Sequence, residues 1–108
     1  MSLEMPKPVA AYIGADRESP AAVAGCFTEG AVVKDEGQTY RGRAAIKQWK
    51  TDASAKYQYT SELLACEQKD GKVIVTSRLT GSFPGSPVDL RFFFGLEGDK
   101  IASLEIIP

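Results

Sequence analysis

No histidine occurs anywhere in the 108 residues of the chain. That absence removes the commonest metal ligand and the commonest general base, and with them any Ser-His or Cys-His nucleophile pair. Cysteine is scarce too: Cys26 and Cys66 are far apart and have no CxxC partner. Each sits among apolar residues, the setting of a small buried thiol in a reducing compartment. An excess of either charge is also lacking, since 13 basic residues nearly cancel 14 acidic ones to leave a formal charge of -1. With no basic stripe to neutralise a phosphate backbone, nucleic acid is not an expected partner.

Long hydrophobic runs are missing as well. No segment approaches the roughly 20 apolar residues of a membrane span. The start, Met1-Ser2-Leu3-Glu4-Met5-Pro6, has none of the apolar stretch of a secretory signal. A cytoplasmic location without a membrane partner is therefore expected. Residues 1–4 read as a vector-derived or disordered extension, and a single domain as running from 5 to 108.

What is present belongs to an ordinary globular protein: 44% of residues are hydrophobic and 25% charged, which fits neither a disordered nor a fibrous chain. The length suits one domain and is too short for two independent cores. Val9, Tyr12 and Ile13 fall at i, i+3 and i+4, so the Ala-rich stretch from Pro8 to Ala15 is predicted to be a helix. Ser19-Pro20 reads as a new start, with serine as N-cap and proline at the first helical position. Val23, Cys26 and Phe27 supply an apolar stripe to that second helix, and Gly30 is its expected terminator. Ala31 to Asp35 then alternates as a short strand, turns at Glu36-Gly37 and returns through Gln38 to Arg41. A third helix is predicted over about 43–55, with Ile46, Trp49 and Ala53 on its apolar face and its lysines on the other.

From Tyr57 the period changes. Tyr57 to Gln68 and Lys72 to Phe83 are long runs joined through Asp70-Gly71, the strongest short-range hairpin signal. The implied register sets Cys66 opposite Val75 and Leu64 opposite Ser77 on the more apolar face, which is expected toward the helices, and Ala65 opposite Thr76 and Leu63 opposite Arg78 on the other. After a loop at Phe83–Pro87, Val88 to Leu96 and Ile101 to Ile107 complete four long strands. Helices segregated from strands with tight turns predict an α+β fold with an antiparallel sheet. Val88 to Leu96 is apolar on both sides, with Phe93 and Leu104 expected on the face away from the helices. In so small a chain a second subunit is the expected cover, so a homodimer is predicted; a neighbouring loop is the other possible cover.

The string Phe27-Thr28-Glu29-Gly30-Ala31-Val32-Val33-Lys34-Asp35, followed by Tyr40-Arg41-Gly42-Arg43-Ala44-Ala45-Ile46-Lys47-Gln48-Trp49, resembles the nuclear transport factor 2-like superfamily, in particular its SnoaL-like and ketosteroid isomerase-like branches. The hairpin at Asp70-Gly71-Lys72-Val73 and the ending Leu96 to Ile101 fit the same pattern. The resemblance implies a cone-shaped, cystatin-like roll. In it a strongly curved antiparallel sheet wraps around N-terminal helices, a pocket opens at one end, and the convex sheet face pairs in a homodimer. It says less about function, because members include isomerases, cyclases, dehydratases, epoxide hydrolases and proteins that only bind partners.

Asp35 shares parity with Ala31 and Val33, so it turns inward if they do. A carboxylate at the mouth of an apolar pocket can remove a proton next to a carbonyl. The resemblance implies that this position holds the aspartate base of ketosteroid isomerases; a solvated acid beside a turn is the plainer alternative. Tyr12 on the apolar face of the first helix can donate to a developing oxyanion, the role that the resemblance implies, or simply fill the core. The slot of a second, protonated-aspartate donor falls on Phe92, with Asp89 on the opposite parity, which is a departure from ketosteroid isomerases. Trp49, Tyr57, Tyr59, Phe92 and Phe94 are candidate ligand-binding walls or core residues. Arg78 and Arg91 are expected outside. The acids Asp16, Glu18 and Glu29 are scattered, so no metal site is read, and no cofactor is implied. Two functions remain. One is cofactor-free proton transfer on a small apolar carbonyl compound, of isomerase or cyclase type. The other is a non-catalytic module that binds a small ligand or a partner.

Overall fold

Proline and serine set where the helices start. The computed structural model describes residues 5–56 and 58–108. Helix α1 spans Lys7–Asp16 and carries Pro8 in its first turn, where a missing N–H costs nothing. Helix α2 spans Pro20–Ala24, and the Ser19 hydroxyl caps it by accepting from the Ala22 N–H at 3.1 Å. The remaining elements are β1 (Phe27–Asp35), β2 (Gln38–Arg41), α3 (Arg43–Lys56), β3 (Tyr59–Lys69), β4 (Lys72–Gly81), β5 (Val88–Glu97) and β6 (Lys100–Ile107). Among the described residues, no helix is long and apolar enough to cross a membrane.

Helix α2 is shorter than its apolar spacing suggests. Cys26 and Phe27 leave the helix because a strand partner is available: the Ile101 N–H donates to the Cys26 carbonyl at 2.9 Å, and Phe27 pairs with Ile101. Long-range pairing outweighs a weak local helical pattern. Gly30 consequently lies inside β1, within the register shift between Phe27 and Val32, rather than ending a helix.

The six strands form one curved, unclosed sheet in the order β2-β1-β6-β5-β4-β3. Four of its pairings are antiparallel, as expected, but β1 and β6 run parallel, which makes the sheet mixed. The parallel contact joins distant segments: β2, α3 and strands β3 to β5 intervene before the chain returns to β1. The hairpin at Asp70-Gly71 has the expected geometry, with both residues at positive φ (54° and 76°) and Lys69 opposite Lys72.

Its predicted register holds only near the turn. Cys66 pairs with Val75 and Ala65 with Thr76, but Leu63 rather than Leu64 meets Ser77, and Glu62 rather than Leu63 meets Arg78. Leu64 is an extra residue, a bulge that alternation alone does not reveal. It sends Leu64 outward and turns Leu63 toward the core with Cys66. A second bulge separates Gly95-Ser103 from Leu96-Ile101, so Ile101 and Leu104, three residues apart, are both buried. Leu104 therefore packs inside opposite Phe94, not on the outer face as parity suggested. Phe93 does lie on the other face, beside Ile74 and under the Arg91 guanidinium at 5.8 Å from its ring centre.

The core lies between the three helices and the concave face of the sheet. Val9, Val23, Phe27, Ile46 and Phe94 are among its fully buried side chains. Burying a Leu, Ile or Phe side chain contributes roughly 1.5–3 kcal/mol, so these contacts fix how the helices sit on the sheet. Lys50 is the exception on α3. It is only 5% exposed, although lysines were expected on the outer side of this helix.

Candidate functional site

A cavity of about 530 Å³ opens between α1 and the concave faces of β3, β4 and β5. Its apolar wall is built by Ile13, Leu63, Val75, Phe92 and Phe94. Alternation along β5 aims Phe92 and Phe94 to the same side, and their rings stack 6.4 Å apart. Tyr12 stands edge-on to Phe94, with ring centres 5.3 Å apart, and edge-on to Phe27 at 6.1 Å. Its ring is locked from two sides. Exposed Arg17, Thr60 and Ser61 mark the mouth.

The polar end is built from α1, α3 and β3. Asp16 lies one helical turn beyond Tyr12 and also lines the cavity. Its carboxylate is ion-paired with the buried Lys50 ammonium. Lys50 Nζ also donates to the Tyr59 hydroxyl at 3.2 Å and lies over the Trp49 ring, 5.2 Å from its centre. Burial works against the ammonium, but the Tyr12, Asp16 and Tyr59 oxygens around it prevail, and Lys50 titrates above its ordinary value. Burial likewise pushes the Tyr12 phenol well up, with Lys50 opposing. At neutral pH the group is a charged lysine and a neutral tyrosine.

Asp35 sits one layer back. It shares the inward face of β1 with Ala31 and Val33 and is half-buried, but it does not line the cavity. The Trp49 indole donates to its carboxylate at 3.0 Å, and Trp49 packs against Tyr40 with ring centres 6.0 Å apart. Burial raises the Asp35 carboxyl; the Trp49 hydrogen bond opposes this and Glu36 adds to it. The structure thus gathers Tyr12, Tyr59, Phe92 and Phe94 around one cavity, and sets Asp35 and Trp49 behind Lys50. Tyr57 lies outside the described residues.

Asp16 and Lys50 escaped the sequence reading, yet both carry a spacing signal. Lys50 falls at i+4 from Ile46, and Asp16 at i+4 from Tyr12, so each belongs to a core-facing stripe. Arg78 and Arg91 are outside as expected, with Arg78 bound to Asp89 through two hydrogen bonds of 2.8 and 3.2 Å. Asp89 is thereby tied to the outer face and does not reach the cavity.

The SnoaL-like domain family model matches residues 9–104. This chain belongs to the SnoaL-like family. A candidate polyketide cyclase from Sinorhizobium meliloti is 36% identical over 95% of both chains, with a TM-score of 0.90. A ketosteroid isomerase-like-fold protein from Catenulispora acidiphila, solved in complex with trimethylamine, is 20% identical over 97% of this chain and 87% of that one, at a TM-score of 0.83. A cystatin-fold protein from Novosphingobium aromaticivorans is 20% identical over 97% of this chain and all of its own, at 0.76. The last two likenesses speak to the fold. Among curated proteins no sequence matches this SnoaL-like chain.

Proposed function

We propose that this SnoaL-like protein binds a small apolar carbonyl compound in the cavity and moves a proton on it without a cofactor, in the manner of an isomerase or cyclase. One observation carries the reading: an aromatic cavity ends in Asp16 and Tyr59, both bound to the buried Lys50 ammonium, with the buried Tyr12 phenol on the same wall. Tyrosine hydroxyls can donate to a carbonyl oxygen, and an apolar wall strengthens each such hydrogen bond. A carboxylate can take the α-proton. Asp16 lines the cavity, and Asp35, with its raised carboxyl, is the second candidate base once its Trp49 contact loosens. The similarity to the candidate polyketide cyclase supports the same reaction class.

The test is deuterium uptake by enolisable aryl ketones in D2O, followed by NMR. Uptake by the wild type and its loss in Asp16→Asn or Asp35→Asn support the reading and assign the base, which contributes on the order of 10²–10⁴-fold. No uptake across a panel of ketones that bind would exclude it.

A second reading rests on the position of Asp35 behind Trp49. If that carboxylate never reaches a ligand, and Asp16 stays committed to Lys50, the domain is a binding module. Ligands then bind equally well to wild type and Asp35→Asn, with no exchange in either. Pairing of two copies through the convex face, around Ile74 and Phe93, is compatible with both readings.

A further inference from the structure

The Lys50 ammonium has an unusual set of neighbours for a lysine on an α-helix. It reaches the Asp16 carboxylate and the Tyr59 hydroxyl oxygen, and two aromatic rings cover it. Because a lysine ammonium only donates, Tyr59 is the acceptor in the 3.2 Å contact. Its own proton is still to be given, and no described residue accepts it. Tyr59 lines the cavity, so the open side for that proton is the ligand space. A hydroxyl that accepts from a cation becomes a stronger donor, because hydrogen bonds in a chain polarise one another at low dielectric.

The charges at this end point the same way. Asp16 faces it from α1 and Lys50 from α3, Arg17 stands exposed at the mouth, and Asp35 of β1 stands farther off behind the Trp49 indole. At the Tyr59 hydroxyl the charge in direct contact is therefore the Lys50 cation, and the Asp16 carboxylate is engaged by that same ammonium. We propose that Tyr59, held by Lys50, is the hydrogen-bond donor of the cavity, and that the ligand it receives is a phenol or an enolisable ketone whose oxygen carries or gains negative charge. Lys50 is a positioning residue that acts through Tyr59. The inference rests on the reading of this cavity as the ligand site, but not on any proton transfer by Asp16 or Asp35.

The experiment is an absorbance titration of 4-nitrophenol bound to the intact protein, because its colour reports ionisation directly. In the wild type the bound phenol ionises roughly tenfold or more readily than the free one, the scale of one hydrogen bond to a charged group. Tyr59→Phe, which leaves the Asp16–Lys50 pair intact, returns the titration toward that of free 4-nitrophenol. The double variant Asp16→Asn/Lys50→Met does so in part, without leaving a lone buried charge. Failure of 4-nitrophenol to bind, ionisation equal to the free compound, or a shift that survives Tyr59→Phe would overturn the proposal. Failure of the proton-transfer reading shows itself differently: the nitrophenol shift persists while no ketone exchanges deuterium.

Discussion

The Trp49 indole N–H donates to Asp35 Oδ2 across 3.0 Å, joining α3 to the end of β1. The next residue on the helix, Lys50, turns instead to Asp16 on α1. Two adjacent residues of one helix thereby hold two carboxylates, Asp16 on the cavity wall and Asp35 behind it. Whether the protein does chemistry depends on which of these carboxylates a ligand can reach.

The first consequence concerns pH. Burial lifts the folded-state Asp35 carboxyl above its ordinary value, so the folded chain holds this proton more tightly than the unfolded chain. Its contribution to stability is complete below the ordinary carboxylate range and is lost as pH rises through the folded value. Asp35→Asn should therefore be more stable than the wild type at neutral pH, and the gap should shrink as pH falls to the ordinary carboxylate range and below. Urea melts at a series of pH values measure this, and a gap that does not depend on pH would contradict it.

The ion pair gives a second prediction. Lys50→Met leaves the Asp16 carboxylate without its cation. Fully buried pairs lose about 3–5 kcal/mol on such a change, but the Asp16 side chain keeps 22% of its surface exposed, so roughly 2–3 kcal/mol is expected. Asp16→Asn/Lys50→Met should recover more than half of that loss. Denaturant unfolding of the two singles and the double closes the cycle, and strict additivity would mean that the pair is uncoupled.

Two glycines in strands should behave differently. A Cβ on Gly81 would stand 2.2 Å from the Gln58 carbonyl oxygen and 2.7 Å from Tyr59 Cα, and backbone cannot move aside locally. Gly81→Ala is expected to cost about 1–3 kcal/mol and to weaken ligand binding by displacing Tyr59. On Gly95 the obstacle is the Ser103 hydroxyl at 2.3 Å, while Ser103 Cβ is at an ordinary 3.6 Å. Gly95→Ala should be the milder change, and Ser103→Ala should relieve it fully. Thermal melts distinguish the two cases.

Much of this was legible in the residues, for identifiable reasons. Asp70-Gly71 sets a turn by backbone sterics alone, Ser19-Pro20 starts a helix, and the string from Phe27 to Trp49 carries the family resemblance. What escaped depends on pairing between distant segments. The parallel contact of β1 with β6 has no local signal, and neither have the two bulges: the one at Leu64 exchanges the inner and outer places of Leu63 and Leu64, and the one between β5 and β6 turns Leu104 inward. The site shows the same division. Aromatic wall residues announce themselves by type, whereas a buried lysine runs against the general rule that lysines stay wet. Lys50 is recognisable only once Asp16 is known to lie across from it.

The outer face gives a fourth prediction. With Leu104 inside, half-buried Phe93 beside Ile74, and the outward-turned Leu64, are apolar side chains left on the outside of the sheet, and Arg91 lies over the Phe93 ring. If two copies pair through this face, light scattering should give a mass about twice 11.6 kDa, and Phe93→Glu should halve it. A mass of a single chain for the wild type in dilute buffer would rule this out.

The cavity as a ligand site is the central claim, and amide chemical-shift mapping tests it most directly. An aryl ketone titrated into 15N-labelled protein should shift the amides of Tyr12, Tyr59, Val75 and Phe94 together, with one dissociation constant. Leu63→Trp, which fills the space those residues surround, should abolish the response. Shifts confined to Ile74 and Phe93 on the outer face, or a response that Leu63→Trp leaves unchanged, would contradict the account.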